Sequence, residues 1–301
     1  MLIITPYFNP QKYKSLKNNH RIFAQRLLDQ GANLITVELT FGDEPPELTD
    51  SDLGKVVFLK SKSVMWQKEQ IINYVVNNHM GNETKFAWID CDVLFKDGGW
   101  IKRAEDKLEE ADIIQLFKRV FLLNKGQFHY GGDRNMFFQG VVWQYKTYKN
   151  WLNRRISKEL PFSHPGFAWA ARKDALPNGL YPFSVTGSGD TLMIDSILDS
   201  WDIHSYSRKF TEHMRLSINE WIKGIGPIKL DYIPEDIYHL WHGSIKNRAY
   251  TTRHNMLVDY DFNPFKDVTI KGDVLEWSSH KVELHDAIKA YFLSRNEDED
   301  I

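Results

Sequence analysis

Asp90 and Asp92 flank Cys91 at the end of an apolar run that begins at Phe86 and continues through Ala87, Trp88 and Ile89. A strand of that composition is expected to be buried. Carboxylates at its end are costly unless they are paired or bound to a metal. In an extended segment, side chains at i and i+2 point the same way, which would make the two aspartates one acidic pair. The carboxyl end of a strand is where open α/β sheets bind ligands. Oxygen donors there suit a hard divalent ion, Mg2+ or Mn2+, with positions left for phosphate oxygens. The plainer reading of the same residues is a solvated turn that they cap.

Three further groups join this pair. Gly187-Ser188-Gly189-Asp190 opens a helical pattern. Its glycines let backbone approach a ligand, and Asp190 either caps the helix or accepts the proton of an attacking hydroxyl. Tyr238-His239-Leu240-Trp241-His242-Gly243 offers two imidazoles. On a strand they would face opposite sides, and His242, beside the glycine turn, is the better metal-ligand candidate. Lys246, Arg248 and Arg253 follow. Such cations stabilise a leaving diphosphate, although a solvated basic face has the same composition.

Elements able to position these groups are visible along the chain. Residues 2–5 read as a strand stopped by Pro6, residues 20–30 as a helix closed by Gly31, and residues 33–39 as a second strand. This β-α-β opening implies a parallel sheet. A third strand is expected over 56–59, a helix over 64–78 capped by Ser63, a helix over 100–110 and a strand over 112–117. Residues 126–140 are expected to be a mobile loop, 164–172 to run from a turn into an apolar strand, 186–190 to lead into a helix through 201, 237–241 to be a strand and 296–301 a disordered acidic tail.

With 301 residues the chain can bury a large core as one domain with a small extension. Aromatic residues make up 14%, including 10 Trp, which suits a cleft that stacks a base or sugar ring. Net charge is -2, without the basic excess typical of nucleic-acid binders. A single cysteine, Cys91, excludes an internal disulfide and fits a reducing compartment. It is expected to point into the core. The N-terminal apolar run is too short for a signal peptide, and no segment is long enough to span a membrane. A cytoplasmic protein is expected, in the host cytoplasm if viral.

Taken together, the chain resembles the nucleotide-sugar-dependent glycosyltransferases of the GT-A fold. The likeness rests on Ile3-Ile4-Thr5-Pro6-Tyr7, Trp66-Gln67-Lys68-Glu69 with Asn73, and Trp88-Ile89-Asp90-Cys91-Asp92. It continues through Gly166-Phe167-Ala168-Trp169 and Gly189-Asp190 to His239-Leu240-Trp241-His242-Gly243. It covers residues 1–250 in order and looks most like a branch found in phages, large viruses and bacteria. The resemblance implies a Rossmann-like α/β fold: a mixed, mainly parallel sheet with helices on both faces. Residues 251–301 would be a C-terminal extension packing on it.

The same resemblance implies that Thr5, Pro6 and Tyr7 line the nucleotide pocket, with Trp66, Lys68 and Asn73 near the nucleotide and Arg248 on the donor. Asp90 would reach the ribose or the metal site, while Asp92 and His242 would bind Mn2+ or Mg2+. Asp190 corresponds to the catalytic base of inverting members. The family's Trp-Gly-x-Glu-Asp type sequence is reduced here to Gly-Ser-Gly-Asp, and a retaining enzyme would need no such base. The implied activity is sugar transfer from a nucleoside diphosphate, with a UDP-sugar as the first donor expected.

The phage likeness suggests hydroxymethylated DNA as acceptor, with Arg134, Arg154, Arg155 and Arg172 as candidates for a phosphate-binding rim. A polysaccharide, a lipid-linked sugar or a protein is the alternative. A nucleotidyltransferase would show a Gly-rich basic phosphate loop where this chain has Thr5-Pro6-Tyr7-Phe8-Asn9-Pro10. A non-catalytic sugar- or nucleic-acid-binding module would bind donor without transferring it.

Overall fold

The computed structural model describes residues 1–49, 53–129, 136–149, 162–198, 210–250 and 252–299. The chain opens with β1 (Leu2–Tyr7), α1 (Lys14–Asp29), β2 (Asn33–Phe41) and β3 (Lys55–Ser61). Helix α2 (Lys68–Asn78) leads into β4 (Lys85–Ile89), and a turn separates β4 from β5 (Val93–Phe95). Then come α3 (Gly99–Lys107), β6 (Ile113–Gln115), β7 (Arg119–Leu122), β8 (Phe137–Gly140) and α4 (Val141–Tyr148). They are followed by β9 (Ser163–His164), β10 (Ala168–Arg172), α5 (Gly189–Ile197), α6 (Glu212–Ile222), β11 (Leu230–Tyr232) and β12 (Asp236–His239). The last elements are α7 (Asn255–Asp259), β13 (Val268–Lys271), β14 (Val274–Trp277) and α8 (Val282–Ser294).

Seven strands form the main sheet in the order β11-β6-β10-β4-β1-β2-β3. Strands β4, β1, β2 and β3 are mutually parallel, as are β11 and β6, whereas β10 is antiparallel to both its neighbours. This is the mixed, mainly parallel α/β architecture expected. A second sheet, β5-β12-β7-β8-β9, was not foreseen. Its strands are short, and their pairing joins segments far apart in sequence.

Alternation along the central strands accounts for a sheet covered on both sides. Leu2, Ile4, Phe86 and Trp88 join one apolar cluster with Ile71, Ile72 and Val75 of α2, Leu192 of α5, Ile218 of α6 and Ile288 of α8. Ile3, Ala87 and Ile89 join the other with Phe23 and Leu27 of α1 and Trp100 and Ala104 of α3. Helix α8 therefore shares its core with β1 and β4. Among the described residues no helix is long and apolar enough to cross a membrane.

Several boundaries differ from expectation for identifiable reasons. Strand β1 continues through Pro6, because its pairing with β4 ends at Ile4 and the missing N–H has no partner to lose on that side. Helix α2 begins at Lys68 rather than residue 64. Ser63 does not cap it: its hydroxyl donates to Glu276, and the Gln67 amide bonds the Leu275 backbone, which ties residues 63–67 to the β13-β14 hairpin. The apolar residues after the two aspartates form a strand of their own, β5. The acidic tail is placed as far as Glu299: Asp298 accepts the backbone N–H groups of Lys14 and Ser15, which lack partners at the start of α1. Residues 300–301, the end of the expected helix through 201 and residues 130–135 of the expected loop lie outside the described residues.

Ile288 is fully buried in the cluster shared with the central sheet. Ile288→Ala should therefore lower the stability of the whole chain, by about 2–5 kcal/mol for a buried aliphatic truncation. Urea denaturation followed by tryptophan fluorescence should show one transition moved to lower denaturant. A separate early transition, with the main one unmoved, would mean that the C-terminal part folds independently.

Candidate active site at the ends of β4, β12 and α5

Strand β4 stops at Ile89, and the Asp90 N–H donates to the Phe167 carbonyl at 2.8 Å. The Val93 N–H bonds back to the Asp90 carbonyl at 3.2 Å, closing a turn over Asp90-Cys91-Asp92-Val93. The two aspartates are thus not on one strand face, as an extended segment would have them, and each meets its own partners. Cys91 is buried in an apolar cluster, as expected.

Lys68, at the first position of α2, bridges two carboxylates. Its Nζ lies 2.6 Å from Asp90 Oδ1 and 2.8 Å from Asp190 Oδ2. Burial works against the lysine's charge, but Asp190 and Asp90 outweigh it and hold the ammonium above its ordinary pKa. The Asp90 side chain keeps 32% of its surface exposed and Asp190 17%, so both reach solvent. The Trp88 indole N–H points to Asp190 Oδ1 at 3.4 Å.

Asp92, His239 and His242 form the second group, with one ligand atom from each lying within 4.8 Å of the others. His242 Nε2 is 2.9 Å from Asp92 Oδ2, and His239 Nε2 is 3.5 Å from Asp92 Oδ1. The two Nε2 atoms are 3.1 Å apart. The expectation that the histidines face opposite sides is corrected: β12 ends at His239, and His242 lies beyond the strand, so strand alternation does not apply to it. Burial would raise the Asp92 pKa, but His239 and His242 hold it well below the usual carboxylate range. Asp92 Oδ1 is buried without a hydrogen bond among the described residues. An orphaned carboxylate oxygen beside two converging imidazoles fits a divalent cation. Asp90, expected among the ligands, lies outside this cluster and is engaged by Lys68.

Asp190 is aimed by strained backbone. Ser188 precedes it with φ at 74°, a conformation that costs about 1–3 kcal/mol in a residue other than glycine. The Ser188 hydroxyl is held by Arg253 Nη2 at 2.6 Å and His254 Nε2 at 3.1 Å. At Gly189 a Cβ would collide with the Glu69 carboxylate. Burial pushes the Glu69 carboxyl up to about 8, while Lys68 pulls the other way.

The remaining expected residues fall into two sets. Arg248 lies at the cation cluster, its Nη2 2.5 and 2.7 Å from the two ring nitrogens of His242. The others are committed elsewhere. The Thr5 hydroxyl donates to the Ile89 carbonyl, the Tyr7 hydroxyl donates to Glu47, and Pro6 is buried with them. The Asn73 amide bonds both backbone groups of Leu180. Trp66 packs between Phe8 and Phe292 with Arg295 over its ring. Arg253 is buried on Ser188 and Tyr291, and Arg172 pairs with Asp112 and Asp174. Arg134, Arg154 and Arg155 lie outside the described residues. The sequence motifs include Glu69 without a role and leave out the supports His254 and Glu297. None of them stands in a spacing that signals a partner.

No family model and no curated protein matches the chain. Among solved structures it is similar to glucosyl-3-phosphoglycerate synthase from Mycobacterium tuberculosis, in complex with Mn2+, uridine diphosphate and phosphoglyceric acid. The identity is 11%, over 89% of this chain and 81% of that one, with a TM-score of 0.40. It is also similar to TarS of S. aureus in complex with UDP-GlcNAc. There the identity is 12%, over 98% of this chain and 71% of that one, with a TM-score of 0.43.

Glu69 makes a testable contribution to pH dependence. Its carboxyl is protonated up to about 8 in the fold against 4.5 ordinarily, so between those values the unfolded chain has released a proton that the folded chain keeps. Its contribution is full below pH 4.5 and is lost as pH rises toward 8. Stability measured by urea denaturation, wild type minus Glu69→Gln, should decline across that window. A difference that stays flat would show that the carboxyl is ionised in the fold.

Proposed function

We propose that the chain is a metal-dependent glycosyltransferase of the GT-A type. It moves a sugar from a nucleoside-diphosphate sugar, with a UDP-sugar first among donors, to an acceptor hydroxyl. The observation that carries this reading is the Asp90–Val93 turn. It holds the Asp92-His239-His242 cluster on one side and the Lys68-tethered Asp190 on the other. Asp92, His239 and His242 would hold the cation. Their mixed oxygen and nitrogen donors suit Mn2+ better than Mg2+, which is bound mainly through oxygen and water. When bound, such an ion neutralises the leaving diphosphate.

The chain's own residues supply the rest. Lys68 fixes the Asp190 carboxylate, which takes the proton of the acceptor hydroxyl. The acceptor oxygen bonds to the anomeric carbon as the anomeric carbon–phosphate oxygen bond breaks, and the diphosphate leaves with the bonding pair. Arg248, beside the cluster, and exposed Lys246 add positive charge for that departure. Hydroxymethylated DNA is one acceptor to assay beside glycans, lipid-linked sugars and proteins. Arg172, the described member of the expected phosphate rim, is already paired with carboxylates.

Thermal melts with UDP-, GDP-, CDP- and TDP-sugars, with and without Mn2+, test the donor site, because a ligand that binds only the folded chain raises the melting temperature. A Mn2+-dependent shift with one nucleotide is expected, and Asp92→Asn should abolish it. Asp190→Asn should keep the shift while turnover falls about 10²–10⁴-fold, the usual loss of a general base. The proposal fails if no donor shifts the wild-type melt and no sugar nucleotide is turned over.

A further inference from the structure

The imidazole of His242 has two working edges. Its Nε2 faces the cluster, 2.9 Å from Asp92 Oδ2 and 3.1 Å from His239 Nε2. Its Nδ1 faces away from the cluster, 3.3 Å from Glu297 Oε2. Arg248 Nη2 also stands at this ring, 2.5 Å from Nδ1 and 2.7 Å from Nε2, and shares the Nδ1 edge with Glu297. Glu297 is 3% exposed, and its Oε1 is held by Arg295 Nη2 at 2.5 Å.

The segment that brings Glu297 here is fastened on several sides. Ser15 donates its hydroxyl to the Glu297 carbonyl at 2.9 Å, and Asp298 caps the start of α1. Asn247 donates to Glu299 at 2.6 Å. Gly243, directly after His242, has φ at 84°, and a Cβ there would come within 2.9 Å of Glu297 Cα. Glycine at that position lets the C-terminal segment pass against His242. A glutamate buried this completely and aimed at one nitrogen of one histidine does more than fill a surface.

We propose that Glu297 is a positioning residue of the metal site: its carboxylate accepts the Nδ1–H of His242 and so fixes the tautomer that presents Nε2 to the cation. A carboxylate behind a histidine ligand orients the ring and makes the opposite nitrogen a better donor. The segment 295–299 is then part of the site although it is distant in sequence from every ligand. This rests on reading Asp92, His239 and His242 as the cation site.

Calorimetric titration of the full chain with Mn2+ tests it, on wild type, Glu297→Gln, Asp298→Ala and Asp92→Asn. Loss of the supporting carboxylate should weaken Mn2+ binding about 10–100-fold. Asp298→Ala loosens the same segment without touching His242, and should weaken Mn2+ binding less than Glu297→Gln does. Melts in chelator establish that the variants are folded. Wild-type affinity in Glu297→Gln overturns the role of Glu297 and leaves the metal site standing. Absence of Mn2+ binding by wild type overturns both.

A second measurement needs no variant. Long-range ¹⁵N–¹H spectra of the wild type, at a pH where the imidazole is neutral, read the His242 tautomer directly. A proton on Nδ1 is expected. A proton on Nε2 refutes the assignment.

Discussion

A buried ammonium, Lys68 Nζ, holds together two carboxylates that arrive from opposite directions. Asp90 comes from the end of the central strand β4 and Asp190 from the first turn of α5. The lysine is the charged partner the two share. An ammonium buried between two carboxylates is far less costly than any of the three left alone. The bridge therefore fixes the distance between strand end and helix start. Removing the lysine leaves both carboxylates uncompensated, whereas removing either carboxylate leaves the lysine one partner.

Around this bridge the structure divides its labour between two sheets. The main sheet and the helices on its two faces carry the apolar burial, and they deliver Asp90 and Asp190 rigidly. The smaller sheet brings β12 alongside β5 and β7, so that His239 and His242 meet Asp92 just beyond the turn. The C-terminal part closes the arrangement from behind. Arg253 and His254 hold Ser188 in its left-handed conformation, and Glu297 backs His242. These residues follow the ligands in the chain, yet they share the apolar cluster of β1 and β4 through α8. Residues 252–299 are in this sense part of the site's support.

Much of the outline was legible in the amino-acid sequence. Period-two alternation and helical spacing mark β1, β2, β4 and α2, and Asp90, Asp92, Asp190 and His242 stand out as polar residues at the ends of apolar runs. Other expectations were weaker for physical reasons. Thr5, Tyr7 and Asn73 are polar residues whose type suits a ligand, but their groups are taken up by Ile89, Glu47 and Leu180. A hydrogen-bonding side chain looks the same in a sequence whether its partner is a ligand or a distant backbone. Ser63 precedes a helical pattern as a cap would, but Glu276 captures its hydroxyl.

The sequence by itself determined which residues must be buried, the alternation of strands and helices, and the positions where carboxylates and imidazoles stand at strand ends and helix starts. These are properties of short windows, set by side-chain chemistry and local backbone geometry. Only the tertiary structure decided the antiparallel course of β10, the second sheet, the meeting of His239 with His242, the Lys68 bridge and the placing of Glu297 behind His242. Each depends on contacts between segments far apart in the chain. The geometry of a turn at Asp90 or Gly243, together with the packing it permits, selects one partner among many that are chemically equivalent.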